Sequence, residues 1–256
     1  MHVAITGASS GLGEAMAREF ARAGAKVTVV ARRREVLEKL CGELGGQTHV
    51  AAVDLADTAH CCDWIAGAEA ALGPIDVLIS NAGVMSLGPV AQLDPVEAQK
   101  MIALNYLAPV ALLRAMLPKM LERRSGVLVN VTSMAALVTL PGWLYQSSSK
   151  TASATFSEGL RREVRGSGVH VLTVYPGMTD TPMTQGGLDR YGRSGLVKLL
   201  PLGTPAGFAR TVRRAVERRS ARAFYPAPYA LARWFPGIAR WLSTAVTPPL
   251  KALPPN

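Results

Sequence analysis

Cysteine and histidine are scarce, and their positions exclude more than their numbers do. The 256 residues hold three cysteines, Cys41, Cys61 and Cys62, without C-x-x-C spacing and without a cluster of metal-binding partners. That pattern excludes a disulfide framework and a zinc site, and a reduced, cytoplasmic setting is expected. The four histidines are His2, His49, His60 and His170, so none follows position 170. Long hydrophobic runs are missing too: no stretch of about 18 uncharged apolar residues occurs, and no helix is expected to span a bilayer. The opening "MHVAITGASS" lacks the basic stretch and apolar core of a secretory signal, and none is expected. Acidic residues thin out toward the C-terminal end. From Pro205 to Asn256 nine basic residues (Arg210, Arg213, Arg214, Arg218, Arg219, Arg222, Arg233, Arg240, Lys251) face Glu217 alone, which is +8 of the formal +10. This places the basicity in a tail and not in the fold. No nucleic-acid-binding motif accompanies it, so no nucleic-acid partner is expected.

What is present is a core-forming supply of apolar residues, 49% of the chain, in a length that fits one large α/β domain. Short β-branched runs predict seven strands at 2–6, 26–31, 49–54, 76–80, 126–132, 169–175 and 221–226. Helical patterns fall between them at 12–23, 34–44, 58–71, 95–123, 145–166 and 205–219. Continuous apolar strands alternating with helices predict a parallel sheet covered on both faces, with ligands outside the C-terminal strand ends. The stretch 177–204 is punctuated by Gly and Pro and reads as a mobile loop over the substrate. Residues 1–226 read as one domain and 227–256 as an extension.

"TGASSGLG" (6–13) follows the first strand and opens the first helix. Gly7, Gly11 and Gly13 let the turn close, and backbone N–H groups there suit a pyrophosphate at a helix N-terminus. Gly7-Ala8-Ser9-Ser10-Gly11 also spells the nucleophile elbow of α/β-hydrolases, but that chemistry needs a histidine late in the chain. His170 falls inside a strand pattern, where a hydrogen-bonded core histidine is expected, so the hydrolase is excluded. At the end of the second strand an NAD enzyme carries Asp or Glu for the ribose 2′-OH. This chain reads Ala31, Arg32, Arg33, Arg34 there, which favours a 2′-phosphate and hence NADP(H).

These residues, with Asp54-Leu55, "NAG" at 81–83, Asn105, Ser133 after "VNVT", Lys150, and "PG" at 176–177 with Thr181, resemble the short-chain dehydrogenase/reductase family over residues 2–226. The resemblance implies a Rossmann-type doubly wound parallel sheet of about seven strands with helices on both faces. It also implies hydride transfer between a nicotinamide and a carbonyl or alcohol carbon. Gly7, Ser9, Ser10, Gly11, Leu12 and Gly13 would hold the pyrophosphate, and Arg32 and Arg33 the 2′-phosphate. Asp54 and Leu55 would flank the adenine, and Asn81, Ala82 and Gly83 would line the cofactor. Pro176 and Gly177 lead to Thr179 and Thr181 on the carboxamide. In the family a tyrosine passes the proton, a lysine lowers its pKa, a serine binds the substrate oxygen and an asparagine holds a water linked to the lysine. Ser133, Lys150 and Asn105 match.

The tyrosine does not. "LYQSSSK" (144–150) puts Tyr145 five residues before Lys150 and Gln146 four before it. On a helix four residues leave an offset of about 40° and five leave about 140°, so Gln146 shares the face of Lys150 and Tyr145 does not. A glutamine amide donates a hydrogen bond but releases no proton near neutral pH. Three outcomes stay open: an oxidoreductase whose proton comes through Ser133 or water, one in which a helix bulge returns Tyr145, or a non-redox NADP-binding protein of regulatory or lyase/isomerase type. Met85, Met134, Leu140, Trp143, Met178, Met183 and Leu188 predict an apolar pocket wall for a small lipophilic ketone or alcohol. The tail "YALARWFPGIARWLSTAV" reads either as a peripheral membrane contact or as a segment packed over the pocket or a second subunit. By resemblance a homodimer or homotetramer through 95–123 and 145–166 is expected.

Overall fold

The computed structural model describes residues 1–185, 201–235, 237–239 and 241. The Gly186-Gly187 pair, Leu188, Arg240 and Lys251 lie outside them. Seven strands form one all-parallel sheet: β1 (His2–Thr6), β2 (Lys26–Ala31), β3 (Thr48–Ala52), β4 (Val77–Ser80), β5 (Gly126–Val131), β6 (Val169–Pro176) and β7 (Arg222–Tyr225), in the order β3-β2-β1-β4-β5-β6-β7. The order reverses between β1 and β4, where Val3 pairs with Val77 and Ile5 with Ile79. The crevice for a ligand therefore opens beyond Thr6 and Ser80.

Alternation along the strands builds two cores. Val3, Ile5, Val27, Val29, Val129 and Val174 face one side, where they meet Met16 and Phe20 of α1 (Gly11–Arg22) and Phe208 and Val212 of α7 (Pro205–Glu217). Ala4, Val30, Leu78, Leu128 and Val171 face the other. There they meet Trp64 and Ile65 of α3 (Trp64–Leu72), Leu112 and Met116 of α5 (Ala108–Glu122) and Leu160 of α6 (Leu144–Glu163). Thr204 caps α7 by accepting from Gly207 N at 3.1 Å, with Pro205 at the first helical position. α2 (Arg34–Leu44) occupies its expected residues.

Several elements depart from the sequence reading. α3 begins at Trp64, because residues 54–63 form successive i→i−3 turns (Asp57 N to Asp54 O, His60 N to Asp57 O, Asp63 N to His60 O). The helix expected over 95–123 is α4 (Pro95–Ile102), a π-helical turn (Ala103–Leu107) and α5. Pro109 has no N–H to give the Asn105 carbonyl, so the α-ladder cannot run through this point, and Ala108 N bonds Ala103 O instead. Pro95–Glu122 meets the length and hydropathy of a membrane span by composition alone, as a core helix also does. Its apolar side here supplies Met101, Leu112, Leu113 and Met116 to the core. The basicity is not confined to a tail. Arg210, Arg213 and Arg214 lie in α7, Arg222 in β7, and Arg213 is paired with Glu19 and Glu217. His170 is hydrogen-bonded as expected, its Nε2 2.9 Å from Ser220 O, but it is half-buried and not part of the core.

Candidate active site

β1 ends at Thr6, whose hydroxyl oxygen accepts from Asn81 N at 2.8 Å and Ala82 N at 3.0 Å, while Asn81 Nδ2 donates to Thr6 O at 2.9 Å. These bonds stitch the ends of β1 and β4 together across the reversal point. Gly7 has φ 69° and Gly11 φ 58°, left-handed values that favour glycine. Gly13 is required for a different reason. A Cβ there would lie 2.1 Å from Gly7 O, so only a glycine lets α1 start this close to the strand. Ser10 is the N-cap of α1 and makes no side-chain cap bond, leaving the first-turn N–H groups directed at the crevice.

The crevice is a cavity of about 880 Å³. Of the sequence-nominated residues, Gly7, Ser9, Ser10, Gly11, Leu12, Arg32, Arg33, Asp54, Leu55, Asn81, Ala82, Gly83, Ser133, Gln146, Lys150, Pro176, Gly177, Thr179 and Thr181 all line it. Gly13 and Asn105 lie behind the wall. At the β2 end, Arg33 Nη2 donates to Ser9 Oγ at 3.0 Å and Ser9 O at 3.2 Å, and Arg32 Nη1 stands 4.0 Å from Asp54 Oδ2. Arg34 turns away to Glu38 on its own helix at 3.6 Å, so two of the three arginines face the cavity.

At the other end α6 starts regularly at Leu144, without a bulge. Gln146 is buried and lines the cavity; Tyr145 is half-buried and does not. Asn105 is fully buried in the π-helical turn. It accepts from Val84 N at 3.0 Å and gives its amide hydrogens to Val84 O (3.0 Å), Gln146 Oε1 (2.9 Å) and Ser149 Oγ (3.2 Å). Lys150 Nζ donates to Val131 O at 3.0 Å, and burial alone pushes its ammonium from 10.5 down to about 8. Ser133 Oγ accepts from Ala135 N at 3.1 Å, which leaves its O–H for the cavity. A Cβ on Gly83 would come within 2.9 Å of Asn105 Oδ1 and 3.4 Å of Lys150 Nζ, so the "NAG" turn passes tightly over both.

Met85, Met134, Leu140, Trp143, Met178 and Met183 line the substrate end as expected from their positions. The sequence reading missed Val84, Leu104 and Val138, and it did not single out Tyr229, Phe235 and Ile238, which roof the cavity. The signal was in the tail, where Leu231, Phe235 and Ile238 recur at helical spacing inside the segment read as a membrane contact or as packing over the pocket or a second subunit. Tyr229 packs on Gly177 so closely that a Cβ would lie 2.6 Å from its ring, and its hydroxyl donates to Pro201 O at 3.2 Å.

A family model described as short chain dehydrogenase matches residues 1–191. A short chain dehydrogenase of Pseudocercospora fijiensis is 37% identical over 185 residues, 70% of this chain and 60% of that protein. The match therefore spans about three-fifths of that relative's length. A ketoacyl reductase of Nostoc sp. is 33% identical over 221 residues, 85% of this chain and 76% of that one. Among solved structures, the closed form of serine dehydrogenase complexed with NADP+ is 30% identical with a TM-score of 0.76, covering 84% of this chain and 89% of that chain. The agreement runs from the first strand past the glycine turn to the loop after β6, and at these identities it carries one conclusion: the chain belongs to the short chain dehydrogenase family.

Proposed function

We propose that the chain is an NADP(H)-dependent oxidoreductase that moves a hydride between the nicotinamide and a lipophilic ketone or alcohol, with the Gln146 amide standing where a phenol would. The observation that carries the cofactor choice is the β2 end. Ala31 closes the strand where a carboxylate would hold a ribose 2′-OH, and Arg33 reaches across to Ser9. A serine dehydrogenase of this fold was solved with NADP+, which supports the same choice. The residues present fit the group: the turn from Gly7 to Leu12 lines the cavity, and the uncapped start of α1 offers N–H donors to a pyrophosphate. Gly7–Leu12 would hold the pyrophosphate, Arg32 and Arg33 the 2′-phosphate, and Asp54 and Leu55 the adenine. Asn81–Gly83, Lys150, Thr179 and Thr181 would hold the nicotinamide half. When bound, the cofactor supplies the hydride; Ser133 and Gln146 orient the substrate oxygen by donating to it. The substrate end is walled by methionines, Trp143 and a roof of Tyr229, Phe235 and Ile238, which favours an apolar substrate.

Titration tests the cofactor. NADPH is expected to bind at least about tenfold tighter than NADH, worth about 1.4 kcal/mol. Arg32→Asp and Arg33→Asp should each narrow or reverse that gap, and equal affinities in the wild type would sink the reading.

The same reading extends to the surroundings of the cavity. Leu231, Trp234, Phe235, Ile238 and Trp241 form an exposed apolar rim beside a site for an apolar substrate, which supports a peripheral membrane contact. Wild-type protein should sediment with anionic liposomes, and removal of 228–256 should abolish this. An intact chain that stays in the supernatant makes the segment a roof alone. The outer faces of α4, α5 and α6 are proposed to carry a homodimer or homotetramer.

A further inference from the structure

The orientation of the Gln146 amide is set by a chain of donors and acceptors that begins at a group of fixed polarity. Val84 N–H can only donate, so the Asn105 atom that meets it at 3.0 Å is the carbonyl oxygen. The other atom of that amide is then Nδ2, which donates to Val84 O at 3.0 Å and to Gln146 at 2.9 Å. Gln146 must answer with oxygen, because its own nitrogen there would bring two N–H groups face to face. Its Nε2 is left in the cavity wall, without a hydrogen-bond acceptor among the described residues, alongside the Ser133 hydroxyl and Lys150. A phenol in this place would donate, accept and titrate. This amide only donates.

We propose that Asn105 holds Gln146 as a donor of fixed polarity, and that the site so made reduces the C=C bond of α,β-unsaturated carbonyl compounds in preference to isolated ketones. The proposal rests on the redox reading above and names its substrate class. Hydride delivery to an isolated ketone leaves the electron pair on oxygen as an alkoxide, about as basic as hydroxide, whose conjugate acid has a pKa of about 15.7. Such an oxygen needs a proton as it forms; the amide has none to release, and one must come from Lys150, Ser133 or water instead. In a conjugated enone the β-carbon takes the hydride from the reduced nicotinamide dinucleotide, which is oxidised. The C=C π bond breaks, and its pair is shared between the carbonyl oxygen and the α-carbon as an enolate, whose oxygen is a much weaker base than that of an alkoxide. Donors fixed toward that oxygen stabilise it without surrendering a proton. Water then protonates the α-carbon, the second C–H bond forms, and the product is the saturated ketone. Asn105 touches no substrate in this scheme; it is a positioning residue.

Product analysis tests the chemistry. With NADPH, hydrophobic enones should yield the saturated ketone at least about tenfold faster than matched saturated ketones are reduced. Gln146→Tyr, which restores a titratable group, should raise reduction of the saturated ketones by at least about tenfold. Allylic alcohol as the main product overturns the proposal and leaves the redox reading standing. Tight NADPH binding with no reduction of either class overturns both. A second readout needs no turnover: 4-nitrophenol, whose phenolate absorbs visible light, mimics an enolate oxygen. Bound to wild-type protein it should ionise about one pH unit lower than when free. Asn105→Asp turns the Gln146 amide around and should remove that effect; Gln146→Leu, which leaves the Asn105–Val84 pairing in place, should remove it too. Ionisation of bound nitrophenol that is the same in wild type and Gln146→Leu overturns the fixed donor.

Discussion

Lys150 carries a buried ammonium whose pKa falls from 10.5 to about 8 through loss of hydration alone. Below pH 8 the folded and unfolded chains both hold the proton, and the folded state bears the full cost of burying the charge. Between pH 8 and 10.5 the unfolded chain binds more protons, so stability rises with pH across that window. At about 1.4 kcal/mol for each pH unit the cost is about 3 kcal/mol. Lys150→Met should therefore resist urea better than wild type at pH 7 in the cofactor-free protein, with the gap closing toward pH 10.5. A gap independent of pH would show that packing, not charge, sets it. Which residue shares a face with Lys150 was legible in the sequence, because helical periodicity fixes it to within a fraction of a turn. The Asn105–Gln146 bond was not. It joins residues 41 apart through a π-helical turn that no periodicity announces.

Strands were the most legible elements, each observed within two residues of its expected ends, because buried parallel strands are written as continuous β-branched runs. The start of α3 was expected six residues too early, since Asp57 and His60 stabilise turns with side-chain bonds that hydropathy does not register. The glycine turn lies between these cases: its position was evident, but the contact that makes Gly13 indispensable is a tertiary one. Gly13→Ala would place a methyl 2.1 Å from Gly7 O. Relief requires α1 to move away from β1, at a cost of about 1–3 kcal/mol. Both lower thermal stability and at least about tenfold weaker NADPH binding are expected, and calorimetry with cofactor titration measures them together. Unchanged binding in a destabilised variant would separate the turn from the nucleotide.

Across the whole molecule one carboxylate ties three regions together. Glu158 of α6 accepts from Arg222 of β7 at 2.6 and 2.5 Å and from the Tyr175 hydroxyl of β6 at 2.7 Å, and lies 3.9 Å from Arg233 of the roof segment. The Arg222 bond first, and the Tyr175 bond after it, hold its carboxyl down to about 2. Being depressed, that pKa stabilises the fold above the ordinary carboxylate value of 4.5, and the contribution is lost as pH falls toward 2. Glu158→Gln should lower the melting temperature at pH 7 and flatten its decline between pH 4.5 and 2. An unchanged acid profile would mean another carboxylate governs it. No local pattern betrays this cluster, whose members are spread from 158 to 233. The roof of Tyr229, Phe235 and Ile238 has a wider consequence. The nucleotide grip proposed for Gly7–Leu12 and Arg32–Arg33 lies early in the chain, while the cover over the cavity comes after the last strand. Inheritance can thus revise what enters the cavity by rewriting a dozen C-terminal residues, and the hydride carrier need never be renegotiated.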